Sequence, residues 1–153
     1  MKNLPEGIQS FENLILGNNI YVDKTKWLYE LIKPSNPKYF LSRPRRFGKS
    51  LTISTFEAIF KGKKDLFKGL YIYDQDYDWK EYPVIRLDMT LVASLTGEEM
   101  ELNTKFMLKR NVSEYDIAIE DGKSAQEYFA QVIQELHKKY GKVVVLIDEY
   151  DKP

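Results

Sequence analysis

The chain's 153 residues suffice for one domain with a hydrophobic core and are too few for two comfortable ones, so a single domain over residues 1–153 is expected. Its 23 Lys plus Arg balance 23 Asp plus Glu, which leaves no global field to drive it onto nucleic acid or an anionic membrane; any nucleic-acid contact must be local. Cysteine is absent, which removes disulfides and thiolate metal sites, and the lone histidine, His137, reads as a solvated helix-end residue, so the composition argues against a metalloenzyme.

In chain order, Asn3–Val22 reads as a leading segment with turns at Pro5-Glu6-Gly7 and Gly17-Asn18-Asn19. No apolar leader follows Lys2, and the chain is expected to start natively at Met1 and to be cytoplasmic. The stretch "DKTKWLYELIKP" predicts an amphipathic helix, capped by Asp23 or Thr25, with Trp27, Leu28, Leu31 and Ile32 on one face and Pro34 as its stop. "KYFLS", Lys38–Ser42, is short, aromatic and apolar and reads as a strand.

That strand runs into "SRPRRFGKS", and from Lys49 onward Leu51, Ile53, Phe56, Ile59 and Phe60 keep helical spacing up to Gly62. The local order is therefore strand, loop, helix. A phosphate cradle needs inward backbone N–H groups, a helix that starts at once so that its positive end faces the anion, and a lysine for the outer phosphates. Against G-x-x-x-x-G-K-[ST], Gly48 takes the second glycine, Lys49 the lysine and Ser50 the metal-binding hydroxyl, while Arg43 replaces the first glycine. The phosphate-facing amides would come from Arg46, Phe47, Gly48, Lys49, Ser50 and Leu51, since Pro44 removes an N–H only at the start of the loop. Taken alone, the loop fits both a phosphate cradle and a basic turn capping a helix.

Further on, "YPVIRLDM" (Tyr82–Met89) predicts a buried strand, with Pro83 tolerable only at its start. Asp88 and Thr90 close it and could face a metal site, yet a turn or helix N-cap is the easier account. Helices are predicted around Gly97–Arg110 and from a Ser124 cap to Gly141. The last element, "VVVLIDE", places the aliphatic run Val143–Ile147 before Asp148 and Glu149, the pattern of a parallel strand buried on both faces; the run is far short of a membrane span. Strands alternating with helices define an α/β fold with a largely parallel sheet. A nucleotide-hydrolysing site needs an Asp for Mg²⁺ at a strand's carboxyl end, often followed by a Glu that activates water, and Asp148 and Glu149 meet that demand. Ligands in open α/β sheets bind at that end of the strands, so the two motifs together point to ATP and Mg²⁺.

On "LPEGIQSFENL", "YVDKT", "FLSRPRRFGKSLTISTFEAIFKGKKDLFKGL", "YPVIRLDMT" and "VVVLIDEYDKP", the chain resembles the predicted AAA-ATPase-like family of bacterial and archaeal proteins, over nearly its whole length. The resemblance implies a P-loop three-layer fold. It assigns phosphate binding to Gly48, Lys49 and Ser50, magnesium to Ser50 and Asp148, and catalysis to Glu149 and Lys49. The arginine-rich loop is the family's usual form. Tyr21 or Lys24 stands where related ATPases contact the nucleotide base, although a helix cap at Asp23 or Thr25 accounts for the same segment.

The resemblance further implies a polar-sensor strand between the two motif strands and a C-terminal region similar to PD-(D/E)xK-type nucleases, through which nucleic acid would be a partner. Both lie beyond Pro153, so the expectation is a domain truncated after the Asp148 strand, marginal in stability and weakly active or inactive as an ATPase. Oligomers are compatible with this reading, and no membrane partner is expected. Two other functions remain open. One is a nucleic-acid module using Arg43, Arg45, Arg46 and Lys49 with Tyr39, Phe40 or Phe47 as stacking rings, and the other is a nucleotide-binding switch without useful turnover.

Overall fold

The computed structural model describes residues 1–33, 38–42, 44, 47–92, 96–120 and 124–150. The chain divides into two compact units, Met1–Lys80 and Glu81–Pro153.

Among the described residues the first unit holds three helices, α1 (Phe11–Leu16), α2 (Thr25–Ile32) and α3 (Lys49–Phe60), and two 3₁₀ turns, Lys64–Phe67 and Tyr71–Asp74. α1 forms inside the leading segment, where only turns are expected from sequence. Ser10 caps it by accepting the Asn13 N–H, and Phe11 and Leu14 bury its inner side. Its first N–H, on Phe11, donates to the buried Ser54 Oγ on α3 at 2.9 Å, so one orphan donor of the helix start is satisfied by a neighbouring helix.

α2 matches its expected span, yet it turns a different face inward. Thr25, Leu28 and Tyr29 are buried, with Ile32 packed beside them, whereas Trp27 is 68 % exposed. The i, i+3, i+4, i+7 stripe thus starts from Thr25, whose hydroxyl accepts the Ile72 N–H at 3.1 Å. The N-cap is Lys24, with no side-chain cap bond; from one residue earlier Asp23 Oδ1 accepts from the Thr25 N–H and hydroxyl, while Oδ2 accepts the Tyr71 N–H at 2.7 Å and ties α2 to the second 3₁₀ turn. Pro34, the expected stop, lies outside the described residues. The core of this unit joins Phe11, Leu28, Tyr29, Ala58, Ile59, Phe67 and Ile72, with the Phe11 and Phe67 rings stacked at 4.7 Å.

Lys38–Ser42 is not a strand. The segment is irregular, and among the described residues the sheet has two strands, both from the second unit. An aromatic-apolar run becomes a strand only when a neighbour completes its ladder, and no described strand pairs with this one.

In the second unit β1 (Val84–Asp88) pairs in parallel with β2 (Val144–Asp148), in a register that aligns Val84 with Val144 and Asp88 with Asp148. Pro83 sits just before β1, where its missing N–H does no harm, and its carbonyl accepts the Val144 N–H at 2.9 Å. Between the strands run α4 (Gly97–Val112) and α5 (Ala125–Tyr140), each opened by a full capping box, Thr96 with Glu99 and Ser124 with Glu127. Met107, Leu108 and Val112 of α4 meet Tyr128, Val132 and Leu136 of α5 over one face of the sheet, which presents Ile85, Leu87, Val143 and Val145. Strand residues two apart share a face, so Val84, Arg86, Leu146 and Asp148 belong to the opposite one. The expected burial of β2 on both faces is not found: Val144 and Val145 are half-buried and Ile147 is 44 % exposed, while Leu146 and Asp148 alone are buried.

No helix among the described residues is long and apolar enough to cross a membrane. His137 is exposed in the last turn of α5, with Nδ1 2.8 Å from the Gly141 carbonyl.

Candidate functional site

The Gly48-Lys49-Ser50 motif opens α3 in the first unit. Gly48 is its N-cap and holds φ 75°, ψ 27°, a left-handed conformation that side chains resist. Its carbonyl accepts the first helical N–H, from Thr52 at 2.9 Å, and the Thr52 hydroxyl at 2.9 Å. The amides of Lys49, Ser50 and Leu51 therefore precede the intrahelical ladder, at the positive end of a helix of 12 residues. Lys49 and Ser50 are partly exposed, Phe47 is 63 % exposed, and Leu51 packs its side chain on the core, leaving its amide as the group available to a ligand. Arg43, Arg45 and Arg46 lie outside the described residues.

Tyr21 is half-buried against α1 and α3. Its ring meets Phe11 edge-on at 5.1 Å, and burial pushes its phenol pKa up, an effect opposed by a hydrogen bond with Thr55 of α3. Lys24 is exposed at the α2 N-cap.

The carboxylate motif closes β2 in the second unit. Asp148 ends the strand buried, with the Arg86 Nη2 3.9 Å from its Oδ2. Glu149 follows at once with φ 53°, a left-handed backbone uncommon for a residue of its kind. Asp88, paired with Asp148 in the register, spends its carboxylate on the Thr90 N–H and hydroxyl at 3.0 and 2.6 Å, which bears out its reading as a cap.

Two residues that sequence reasoning passed over shape this end of the sheet. Arg86 was visible as a lone charge inside the apolar run "VIRL". Asn111 had no comparable signal. It lies on α4, and its amide accepts the Arg86 N–H at 2.7 Å and donates to the Arg86 carbonyl at 2.8 Å.

Among the described residues no three or more His, Cys, Asp or Glu side chains stand together as a metal cage. Hard divalent cations take oxygen ligands, and the Ser50 hydroxyl in the first unit and the Asp148 carboxylate in the second are each of that chemistry.

The α/β chain thus presents a parallel strand pair, a glycine-started helix at Gly48-Lys49-Ser50 and an Asp148-Glu149 pair at a strand's carboxyl end. A family model described as "Predicted AAA-ATPase" matches residues 5–153, and the chain belongs to that family. It is also similar to a protein of Azotobacter chroococcum mcd 1 named "Uncharacterized protein in vnfD 5'region", at 39 % identity over 155 residues, covering 99 % of this chain and 30 % of that protein. The chain thus spans less than a third of the relative's length. No solved structure matches it.

Proposed function

We propose that the chain is the ATP-binding part of a magnesium-dependent ATPase, a single nucleotide-binding domain of P-loop three-layer type over residues 1–153, and that its turnover drives a partner or a further nuclease-like region. The observation that carries this reading is Gly48 in the left-handed region at the start of α3, directly before Lys49 and Ser50. Family membership supports it.

In this reading the amides from Arg46 to Leu51 bind phosphate oxygens, and Lys49 places its ammonium on the outer phosphates. Ser50 and Asp148 would hold the magnesium, which would supply neutralisation of charge developing on the phosphates. Glu149 takes a proton from water as its oxygen bonds to the γ-phosphorus and the bond to the β–γ bridging oxygen breaks, releasing ADP and phosphate. The left-handed backbone at Glu149 is strain of the kind found where a side chain is aimed for function. The setting proposed is cytoplasmic, with oligomers and nucleic acid as partners of the longer protein.

The test separates binding from turnover. Lys49→Ala should abolish ATP binding, whereas Glu149→Gln should keep binding and lose hydrolysis by about 10²–10⁴-fold. Unchanged ATP affinity in Lys49→Ala would overturn the reading.

One observation favours a second reading. Tyr39, Phe40 and Phe47 are all exposed around the arginine-rich loop, as stacking platforms for a single strand would be. That reading requires salt-sensitive nucleic-acid binding independent of Mg-ATP.

A further inference from the structure

Asp148 is a carboxylate with 5 % of its side chain exposed, and a buried charge is tolerated only beside a compensating one. Arg86 supplies it from the neighbouring strand, two residues before Asp88 in the register. At 3.9 Å the contact is longer than the 2.7–2.9 Å or so of a charge-assisted hydrogen bond. It neutralises the carboxylate by proximity without consuming its lone pairs. The Arg86 backbone, from which the guanidinium reaches Asp148, is held by Asn111 at both its N–H and its carbonyl.

We propose that Arg86 is a positioning residue that makes metal binding at Asp148 conditional on nucleotide. This rests on the reading of Asp148 as a magnesium ligand. A bare divalent cation approaching Asp148 meets the Arg86 guanidinium and gains little from a carboxylate already compensated. A metal that arrives with a triphosphate brings its own negative charge, which offsets the guanidinium. Free metal is thereby kept off the site.

The experiment titrates Mn²⁺ into the chain without nucleotide, following bound metal by electron paramagnetic resonance and folding by thermal melts. It compares wild type, Arg86→Met, Arg86→Lys, Asp148→Asn and the double variant Arg86→Met/Asp148→Asn. Arg86→Met should bind Mn²⁺ roughly tenfold more tightly than wild type, because a unit charge about 4 Å from the site has been removed. Arg86→Lys should behave as wild type, and the double variant should lose the gain. If Arg86→Met is unfolded without metal, Mn²⁺ should refold it and the double variant should fold without metal.

Mn²⁺ affinity in Arg86→Met equal to wild type, a gain that survives in the double variant, or an Arg86→Met chain that neither Mn²⁺ nor the second substitution refolds would each overturn the proposal. Failure of the underlying reading has a separate signature: Asp148→Asn would bind Mn²⁺-ATP as tightly as wild type.

Discussion

The Asn111 side chain completes the edge of β1 at Arg86, accepting its N–H at 2.7 Å and donating to its carbonyl at 2.8 Å. Pro83 bonds toward β2, so by strand alternation Val84 and Arg86 direct their backbone groups to the other edge. There the Tyr115 hydroxyl accepts the Val84 N–H at 2.9 Å. The helix-side residues thus take the place of a further strand and blunt an edge that would otherwise invite pairing.

Asn111→Ala should therefore destabilise the chain by about 1–3 kcal/mol, because it strands a part-buried N–H and C=O. Chemical denaturation gives the number. A variant as stable as wild type would mean that water replaces the amide without loss.

At Gly48 the penalty for a side chain is backbone strain alone. An added Cβ would meet nothing within 4 Å, but φ is 75°. Gly48→Ala should cost about 1–2 kcal/mol, and Gly48→Asn less, since asparagine tolerates the left-handed region. Stability in the order Gly, Asn, Ala is expected. An alanine variant equal to wild type would show that α3 can start by another route.

The acid side of the stability profile should carry the mark of two carboxylates. The backbone N–H and hydroxyl of Thr96 hold the Glu99 carboxyl below its usual range, and Lys139 does the same for Asp116. A folded pKa below the unfolded one gives a contribution that is complete above the unfolded value and lost as pH falls through the folded one, so the loss lies at and below the ordinary carboxylate range. Lys139, raised chiefly by its bond to Asp116, acts oppositely: its share is complete below the unfolded lysine pKa and lost as pH rises through the folded one. Amide exchange at the start of α4, followed against pH, should show the acid step in wild type and a flat profile in Glu99→Gln.

Much of this architecture was readable locally. Ser124 and Thr96 announce helices because each is followed three residues later by Glu, and Gly141 stops α5 with φ 88°. Gly48-Lys49-Ser50 and Asp148-Glu149 were readable because each is a short motif at an element boundary. What escaped depends on partners distant in sequence. α1 has only six residues, and its inner face is recognisable once Ser54 and Phe67 are known to meet Phe11. The α2 stripe begins at polar Thr25 because Ile72 needs an acceptor there, and that displaces the larger Trp27 to the surface. "KYFLS" has a strand's composition without a described neighbour to pair it. Arg86 and Asn111 acquire meaning only from the register that sets Asp88 beside Asp148.

The most direct test of the central claim is a set of thermal melts of the chain and of Lys49→Ala, each with and without Mg-ATP, because a ligand that binds the folded state raises the midpoint by mass action. The account predicts a cooperative melt that Mg-ATP raises in wild type and leaves unmoved in Lys49→Ala. Cooperative melts indifferent to Mg-ATP in both chains would contradict it and leave "SRPRRFGKS" as a basic turn at the head of a helix.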